Sequence, residues 1–476
     1  FGSQNDRVYL LDREGEKAAL KAVNLDGSDV KTVVTSADAT DMVVAPDERW
    51  IAFKELWNAY VVAFPPTGQT TEIGPKSTAV PLRRLTRDAG ENLQWSSASN
   101  KVYWSLGPEL FERDLKDAFP FLPDAAEKAA EAPEKGRNIS FTQTYDNPPG
   151  AIALTGARIV TMRGDEVIEN GTVVVEGRKI TAVGASVKIP AGAKTVDVKG
   201  KTIIPGLIDV HAHGGQAEND FVPQQSWVNY AALAFGITTV HDPSNDTNSI
   251  FAASELAKAG MIVGPRTFST GTILYGAAGD FRAEINSLDD AKSHLRRLKA
   301  VGAFSVKSYN QPRREQRQQV IAAARELGMM VVPEGGSLFE HNMTMVADGH
   351  TGVEHAIPVA HIYDDVLQFW PATHSGYTPT LVVGYGGLWG EDYWYQHSNV
   401  WENERLLRYV PRQVVDPRSR RRLMAPEDDF NHFDIARAAK QLNDRGVLVN
   451  LGAHGQLQGL GPHWEIWMMS QGGMSP

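Results

Sequence analysis

The spacing of apolar and polar residues changes rhythm three times along the chain. Up to about residue 120, short β-branched and aromatic runs, Arg7-Val-Tyr-Leu-Leu-Asp12, Trp50-Ile-Ala-Phe53 and Lys101-Val-Tyr-Trp-Ser105, stand between turn-like segments such as Ala45-Pro-Asp-Glu48 and Ser96-Ser-Ala-Ser-Asn100. They predict strands. They recur near the roughly 40–50-residue period of propeller blades. Residues 121–149 hold Asp124-Ala-Ala-Glu-Lys-Ala-Ala-Glu-Ala-Pro-Glu-Lys135 and lead to Asn147-Pro-Pro-Gly150, a linker composition with room for one short exposed helix. Between 150 and 205 the signal is β again, in Ala157–Met162, Gly171–Glu176, Lys179–Val183 and Lys194–Val198.

From residue 206 onward, strands alternate with helices. Ser287-Leu-Asp-Asp290 is a helix start, and Leu288, Ala291, Leu295 and Leu298 repeat at intervals of three and four before Gly302. Val320, Ile321, Ala324 and Leu327 make a second such face, stopped by Gly328. Eight strands are expected: Leu207–Val210, Ile237–Val240, Arg266–Ser269, Phe304–Lys307, Met329–Val332, Gly352–Glu354, Tyr377–Val382 and Val447–Leu451. Repeated strand–helix units favour a parallel sheet, and eight close a barrel. The fold class is therefore α/β, a (β/α)8 TIM barrel preceded by all-β segments. An open doubly wound sheet would want a Gly-rich phosphate turn after an early strand, and none stands there.

At 476 residues the chain calls for several domains, given roughly 100–200 residues for each. The expected boundaries are 1–120, 121–149, 150–205 and 206–476. A formal charge of -10, spread rather than blocked, argues against nucleic acid. The basic run Arg418-Ser-Arg-Arg-Arg422 suits a solvated loop or an anion contact. The chain has no cysteine, which leaves His, carboxylate or modified Lys to hold any metal. No apolar run of about eighteen residues predicts a membrane span. The chain starts at Phe1, so an upstream segment is expected to have been removed or left out. If that segment was a signal, a periplasmic or secreted location is expected rather than the cytoplasm.

His211 and His213 follow the apolar run Ile203–Val210. Residues two apart on a strand point the same way, and two imidazoles aimed at one point suit a divalent cation. Hydrogen-bonded polar residues would give the same pattern. All thirteen histidines lie after residue 210, which places any imidazole chemistry in the second half. A barrel builds its site at the carboxyl ends of its strands. Those ends carry His211 and His213, His241 and Asp242, Lys307, Glu334, His355 and His454. A lysine aimed inward from an apolar strand must be paired, neutralised or altered, and Glu334 is one available partner. His350, His361 and His374 lie off the strand ends.

The unbroken run Pro205-Gly-Leu-Ile-Asp-Val-His-Ala-His213 resembles the amidohydrolase superfamily, especially its imidazolonepropionase-like and prolidase-like members. The resemblance implies a metal-dependent hydrolase barrel and a small β-sandwich whose remaining strands return after the barrel. Those strands are missing, so a truncated carboxyl end is expected. It also implies that His211, His213 and His355 bind metal and that Lys307 is carbamylated to bridge two ions. Two residues depart from the family. Glu334 stands where histidine is usual, and a carboxylate can still ligate. His454 stands where the family has an aspartate that binds metal and moves the proton. A histidine can do either, and Asp242 or Glu334 could serve instead. The metal centre is thus expected to be His211, His213, Lys307, Glu334 and His355, holding one or two ions, Zn2+ or another divalent metal.

Pro46-Asp-Glu-Arg-Trp-Ile-Ala-Phe53 resembles the TolB-type propeller repeat, with Glu48 in the usual glycine position. This implies that residues 1–120 are part of a propeller, and the two or three blades they allow imply an earlier natural start. The insertion Gly384–Asp434, with Tyr385, Trp389, Tyr393, Trp394, Tyr395 and Trp401, suits either a lid or a packing flap or oligomer contact. The expected activity is hydrolysis of a carbon–nitrogen bond in an amide, cyclic amide or short peptide. The alternatives are a metal- or ligand-binding protein with an inactive barrel, motivated by His454, and a metal-assisted lyase. The expected partner is a small-molecule or short-peptide substrate, with no nucleic acid or membrane, and a homo-oligomer remains open.

Overall fold

The computed structural model describes residues 1–65, 68–218 and 221–475. Before residue 140 the chain forms three four-stranded sheets, mainly of consecutive antiparallel strands. The middle sheet shows why its sequence is so apolar. In strand Trp50–Glu55, Trp50 and Ala52 pack with Leu93, Val102 and Trp104 of the third sheet, while Ile51 and Phe53 pack with Leu20 and Val34 of the first. Successive side chains go to opposite faces, so a sheet covered on both sides loses the polar half of its alternation.

The three runs aligned by sequence are not equivalent. Trp50–Glu55 and Lys101–Leu106 are the second strands of their sheets, whereas Arg7–Glu14 is an outer first strand and Lys17–Asn24 occupies the matching place. An outer strand pairs on one side only, and Leu10 and Leu11 are exposed. The helix expected within 124–135 does not form. Pro133 interrupts that run, and it has no apolar face to bury. Instead, Leu115–Ala118 makes one turn and Arg137–Asn138 adds a short strand to the third sheet.

Residues 151–203 form a single five-stranded sheet over Ala157, Ile159 and Val173. Ile152, Ile180 and Val183 on its strands are exposed, and this single sheet occupies the place expected for part of a sandwich.

Beyond residue 206 the fold is mixed α/β. The principal strands are β1 (Leu207–Asp209), β2 (Ile237–Asp242), β3 (Arg266–Ser269), β4 (Ser305–Tyr309), β5 (Met330–Pro333), β6 (Gly352–Glu354) and β7 (Gly376–Thr378). Parallel ladders join β1 to β2, β2 to β3, β4 to β5 and β6 to β7. Single bridges continue from Glu334 to Glu354 and from Tyr377 to Val449, and Val210 N donates to Leu451 O at 2.9 Å. The expected eighth strand, Val447–Leu451, is held by such isolated contacts and makes no ladder. The seventh is shorter than expected, because Thr380 at φ 53° turns the chain into the one-turn helix Leu381–Val383.

Three helices pack beside these strands: α1 (Thr247–Ala259), α2 (Leu288–Ala300) and α3 (Arg314–Leu327). Ser287 caps α2 by accepting from Asp290 N at 3.2 Å, and Ala291, Leu295 and Leu298 are buried as their spacing predicts. Gly328, at φ 64°, ends α3 in the left-handed conformation that glycine adopts without a Cβ penalty. No helix among the described residues is long and apolar enough to cross a membrane. Much of the insertion packs inward. Tyr395, Val400, Leu406 and Val415 join Leu381 and Trp464 in one core, and Arg418 reaches the buried Glu391.

Candidate metal centre

The centre begins with Asp209, the last residue of β1. One of its oxygens accepts from His211 N and Ala453 N, each at 3.1 Å, while His454 N donates to His211 O at 2.6 Å. These bonds tie the His-x-His segment to the segment bearing His454. Burial pushes the Asp209 carboxyl up to about 6 against the pull of its two backbone donors.

Four imidazoles then meet. Ring centroids lie 4.9 Å apart for His211 and His213, 4.8 Å for His211 and His355, 5.0 Å for His211 and His454, and 4.8 Å for His213 and His454. His211 Nε2 stands 3.1 Å from His213 Nε2. One ligand atom from each of His211, His355 and His454 falls within 4.8 Å of the others. His355 and His454 reach the group through left-handed backbone, at φ 69° and 57°. Such conformations are uncommon for residues other than glycine and cost on the order of 1–3 kcal/mol each, which the surrounding packing must offset.

Three carboxylates back the imidazoles. Asp242 meets His213 Nδ1 at 3.0 Å and accepts from Ser244 N at 2.9 Å and Asn245 Nδ2 at 2.7 Å. Glu334 lies 2.5 Å from Lys307 Nζ and 2.9 Å from His355 Nε2, and accepts from Tyr385 OH at 3.2 Å. Burial would raise the Glu334 carboxyl, but His355 and Lys307 outweigh it and hold it well below the usual range. Glu354 approaches His211 Nδ1 to 2.6 Å, and burial pushes its carboxyl up to about 8.

This centre fits a divalent cation. Burial holds His211 far below the ordinary imidazole value and His454 at about 3, so both rings are neutral and present lone pairs at pH 7. His355 Nδ1 is buried without a hydrogen bond. His211 Nδ1 and Glu354 Oε2, although close, are not aligned for one either. Native structures leave few such atoms, and a concentration of nitrogen and carboxylate donors of this kind suits a metal ion.

Of the residues expected at the strand ends, His211, His213, His355 and His454 come together, with Glu334 and Lys307 alongside and Asp242 behind His213. His241 does not join them. Its ring contacts Val210 O and Ser305 Oγ at 3.1 and 2.8 Å, as a satisfied core histidine does. His350 Nδ1 is likewise turned to Met345 O. Asp209, Glu354 and Tyr385 were missed as site residues. Asp209 lies inside the recognised run, and Glu354 directly precedes His355. A cleft of about 330 Å³ opens over His213, Lys307, Glu334 and His454, walled by Ile273, Tyr275, Phe281 and Tyr309.

No family model matches the chain. It is 26% identical over 216 residues to a dihydroorotase of Geobacter metallireducens, covering 43% of this chain and 47% of that protein. It is 40% identical over 86 residues to an imidazolonepropionase of Yersinia pseudotuberculosis, covering 17% and 21%. The chain thus spans less than half the length of these curated relatives. Among solved structures, it superposes on a Xaa-Pro dipeptidase with a TM-score of 0.51, at 18% identity, over 68% of this chain and 84% of that one. A bottromycin amidohydrolase gives 0.51 at 15% identity over 69% and 75%. These proteins are hydrolases acting on carbon–nitrogen bonds, and the structural likeness shows an amidohydrolase-type α/β fold.

Proposed function

We propose that the chain is a metal-dependent hydrolase of the amidohydrolase superfamily that cleaves an amide, cyclic amide or short-peptide C–N bond. The observation that carries this reading is the meeting of His211, His355 and His454 from three separate segments, with buried nitrogens left free of hydrogen bonds. On this reading the parallel strands and the 447–451 segment form a (β/α)8 barrel with a seam between β3 and β4. The three N-terminal sheets are consecutive propeller blades.

Zn2+ suits the donor set, with His211, His213, His355 and Glu334 as ligands. When bound, such an ion polarises a carbonyl oxygen and acidifies water. Asp242, occupied by three donors, fixes the His213 ring, and Glu354 stands against His211. A hydrogen-bonded carboxylate such as Asp242 orients a ligating imidazole. His454, in the place of the family's aspartate, is a ligand or the group that moves the proton, and Glu334, which lines the same cleft and is kept ionised by His355 and Lys307, could share that work. Tyr385 OH donates to Glu334 and helps hold that carboxylate in place. Carbamylation would exchange the Lys307 cation for an anion next to Glu334, a change favourable only against two metal ions. Unmodified, Lys307 balances Glu334 and one ion suffices.

The test is metal analysis of the purified chain with a hydrolysis screen of dipeptides, N-acyl amino acids and cyclic amides, before and after chelation. The expected result is at least one bound divalent ion per chain and turnover that chelation removes and Zn2+ restores. The replacement of the family's aspartate by His454 favours a second reading, a binding protein. Bound metal without turnover, and none gained in His454→Asp, would establish it and overturn the first. Failure to bind metal would overturn the hydrolase reading and leave only a binder of another ligand.

A further inference from the structure

Arg297 is a second unsatisfied group, and the proposed chemistry does not use it. It lies near the end of α2 and is 4% exposed. Its guanidinium sits 3.6 Å from the centre of the Trp57 ring, and its Nε gives a long hydrogen bond, 3.3 Å, to His294 Nδ1. Nη2 is buried with no hydrogen-bond partner. The acid whose charge it feels, Glu91, is held by Lys54 at 2.6 Å. Its neighbour Arg296, by contrast, grips Asp88 with two bonds of 2.9 and 2.6 Å. The same junction therefore carries one arginine that is paired and one that is not. A buried guanidinium without an acceptor is costly, and burial depresses its pKa to about 9.

Arg297 also lines a chamber of about 1000 Å³ between the N-terminal sheets and helices α1 and α2. Its walls are largely apolar, with Trp57 and Leu106 on one side and Phe251 and Leu298 on the other. Ser244, Ile273 and Phe281 bound both this chamber and the metal cleft, so the two spaces adjoin.

We propose that this chamber binds an organic carboxylate with an apolar body, its carboxylate held by the Arg297 guanidinium and its body packed against Phe251 and Leu298. A planar guanidinium matches a carboxylate in two parallel hydrogen bonds. Of the two cations on these walls Lys54 is already held by Glu91, which leaves Arg297, and with Asp246 and Glu255 also lining the chamber a monoanion is favoured over a phosphate. The carboxylate is either the far end of the substrate or a separate small acid.

The test is calorimetric titration of the full chain with 3-phenylpropanoate and with its neutral amide. The acid should bind at least about tenfold tighter than the amide. Arg297→Met should erase that preference and Arg297→Lys should keep part of it. Equal binding of acid and amide to the unaltered chain, no binding of the acid near about 1 mM, or a preference that survives Arg297→Met overturns the proposal. The comparison on the unaltered chain stands even if a variant fails to fold, and it needs no catalysis. Assigning the source rests on the hydrolase reading. If the carboxylate belongs to the substrate, Arg297→Met raises KM for carboxylate-ended substrates without changing kcat, and 3-phenylpropanoate competes. If it is a separate ligand, KM is unchanged and competition is absent, while the binding result still supports the site.

Discussion

The N-terminal sheets and the histidine cluster both bury polar groups, and they treat them in opposite ways. In the sheets, Ser36 Oγ donates to the buried Glu55 at 2.5 Å and Lys54 holds Glu91 at 2.6 Å. Among described residues before 150, Arg113 Nε is the only buried side-chain polar atom without a hydrogen bond. At the strand ends, His211, Glu334, Glu354 and His355 all carry such atoms within one small volume. The same chain satisfies its polar groups where structure is the only demand, so their concentration at one point indicates binding capacity rather than loose construction.

Four changes would break or sharpen that contrast. If His355 ligates the metal as proposed, His355→Asn should lower hydrolysis by on the order of 10⁴-fold with loss of bound metal, since several kcal/mol of transition-state stabilisation go with it. Parallel kinetics and elemental analysis would check this. Near-normal metal content would mean that His355 is structural. Trp104→Ala, in the satisfied region, should cost about 3–5 kcal/mol in denaturant unfolding, through lost burial and a cavity, yet leave metal stoichiometry unchanged.

His350 tests an unpaired atom outside the cluster. Burial holds its pKa at about 4, its Nδ1 already faces Met345 O, and a second proton would go to Nε2, which has no partner. Between about 6.5 and 4 the unfolded chain binds the extra proton and the folded chain does not. Stability present above about pH 6.5 is therefore lost as pH falls, by on the order of 3 kcal/mol. His350→Gln should flatten that slope in unfolding measured at about pH 7 and about pH 5. The smallest effect belongs to Asp242→Asn, which should weaken metal binding about 10–100-fold by loosening His213, read as a shift in a chelator competition curve.

What the sequence revealed was local. Asp209, His211 and His213 lie on one extended run, so strand alternation alone aligns the two rings. The α2 stripe and its Ser287 cap were equally legible, because a helix needs only its own neighbours to show its face. Glu354 was hidden by the same alternation rule. Adjacent strand residues point to opposite faces, and only the left-handed turn at His355 lets both side chains reach the centre. Tyr385 comes from an insertion whose path no periodicity encodes, and Arg297 looks like an ordinary helix-surface arginine until the N-terminal sheets cover it. The strand Arg7–Glu14 misled because an outer and an inner strand can carry similar apolar runs.

The Asp209 carboxylate has a consequence for the order of assembly. It joins residue 211 to residue 453, partners separated by most of the second half of the chain. Such a distant pairing is entropically expensive to close and forms late. During synthesis the nascent chain therefore carries His211 and His213 outside the ribosome well before the segment that completes their surroundings is made, and a premature stop ahead of that segment would yield a product whose histidine cluster is left open.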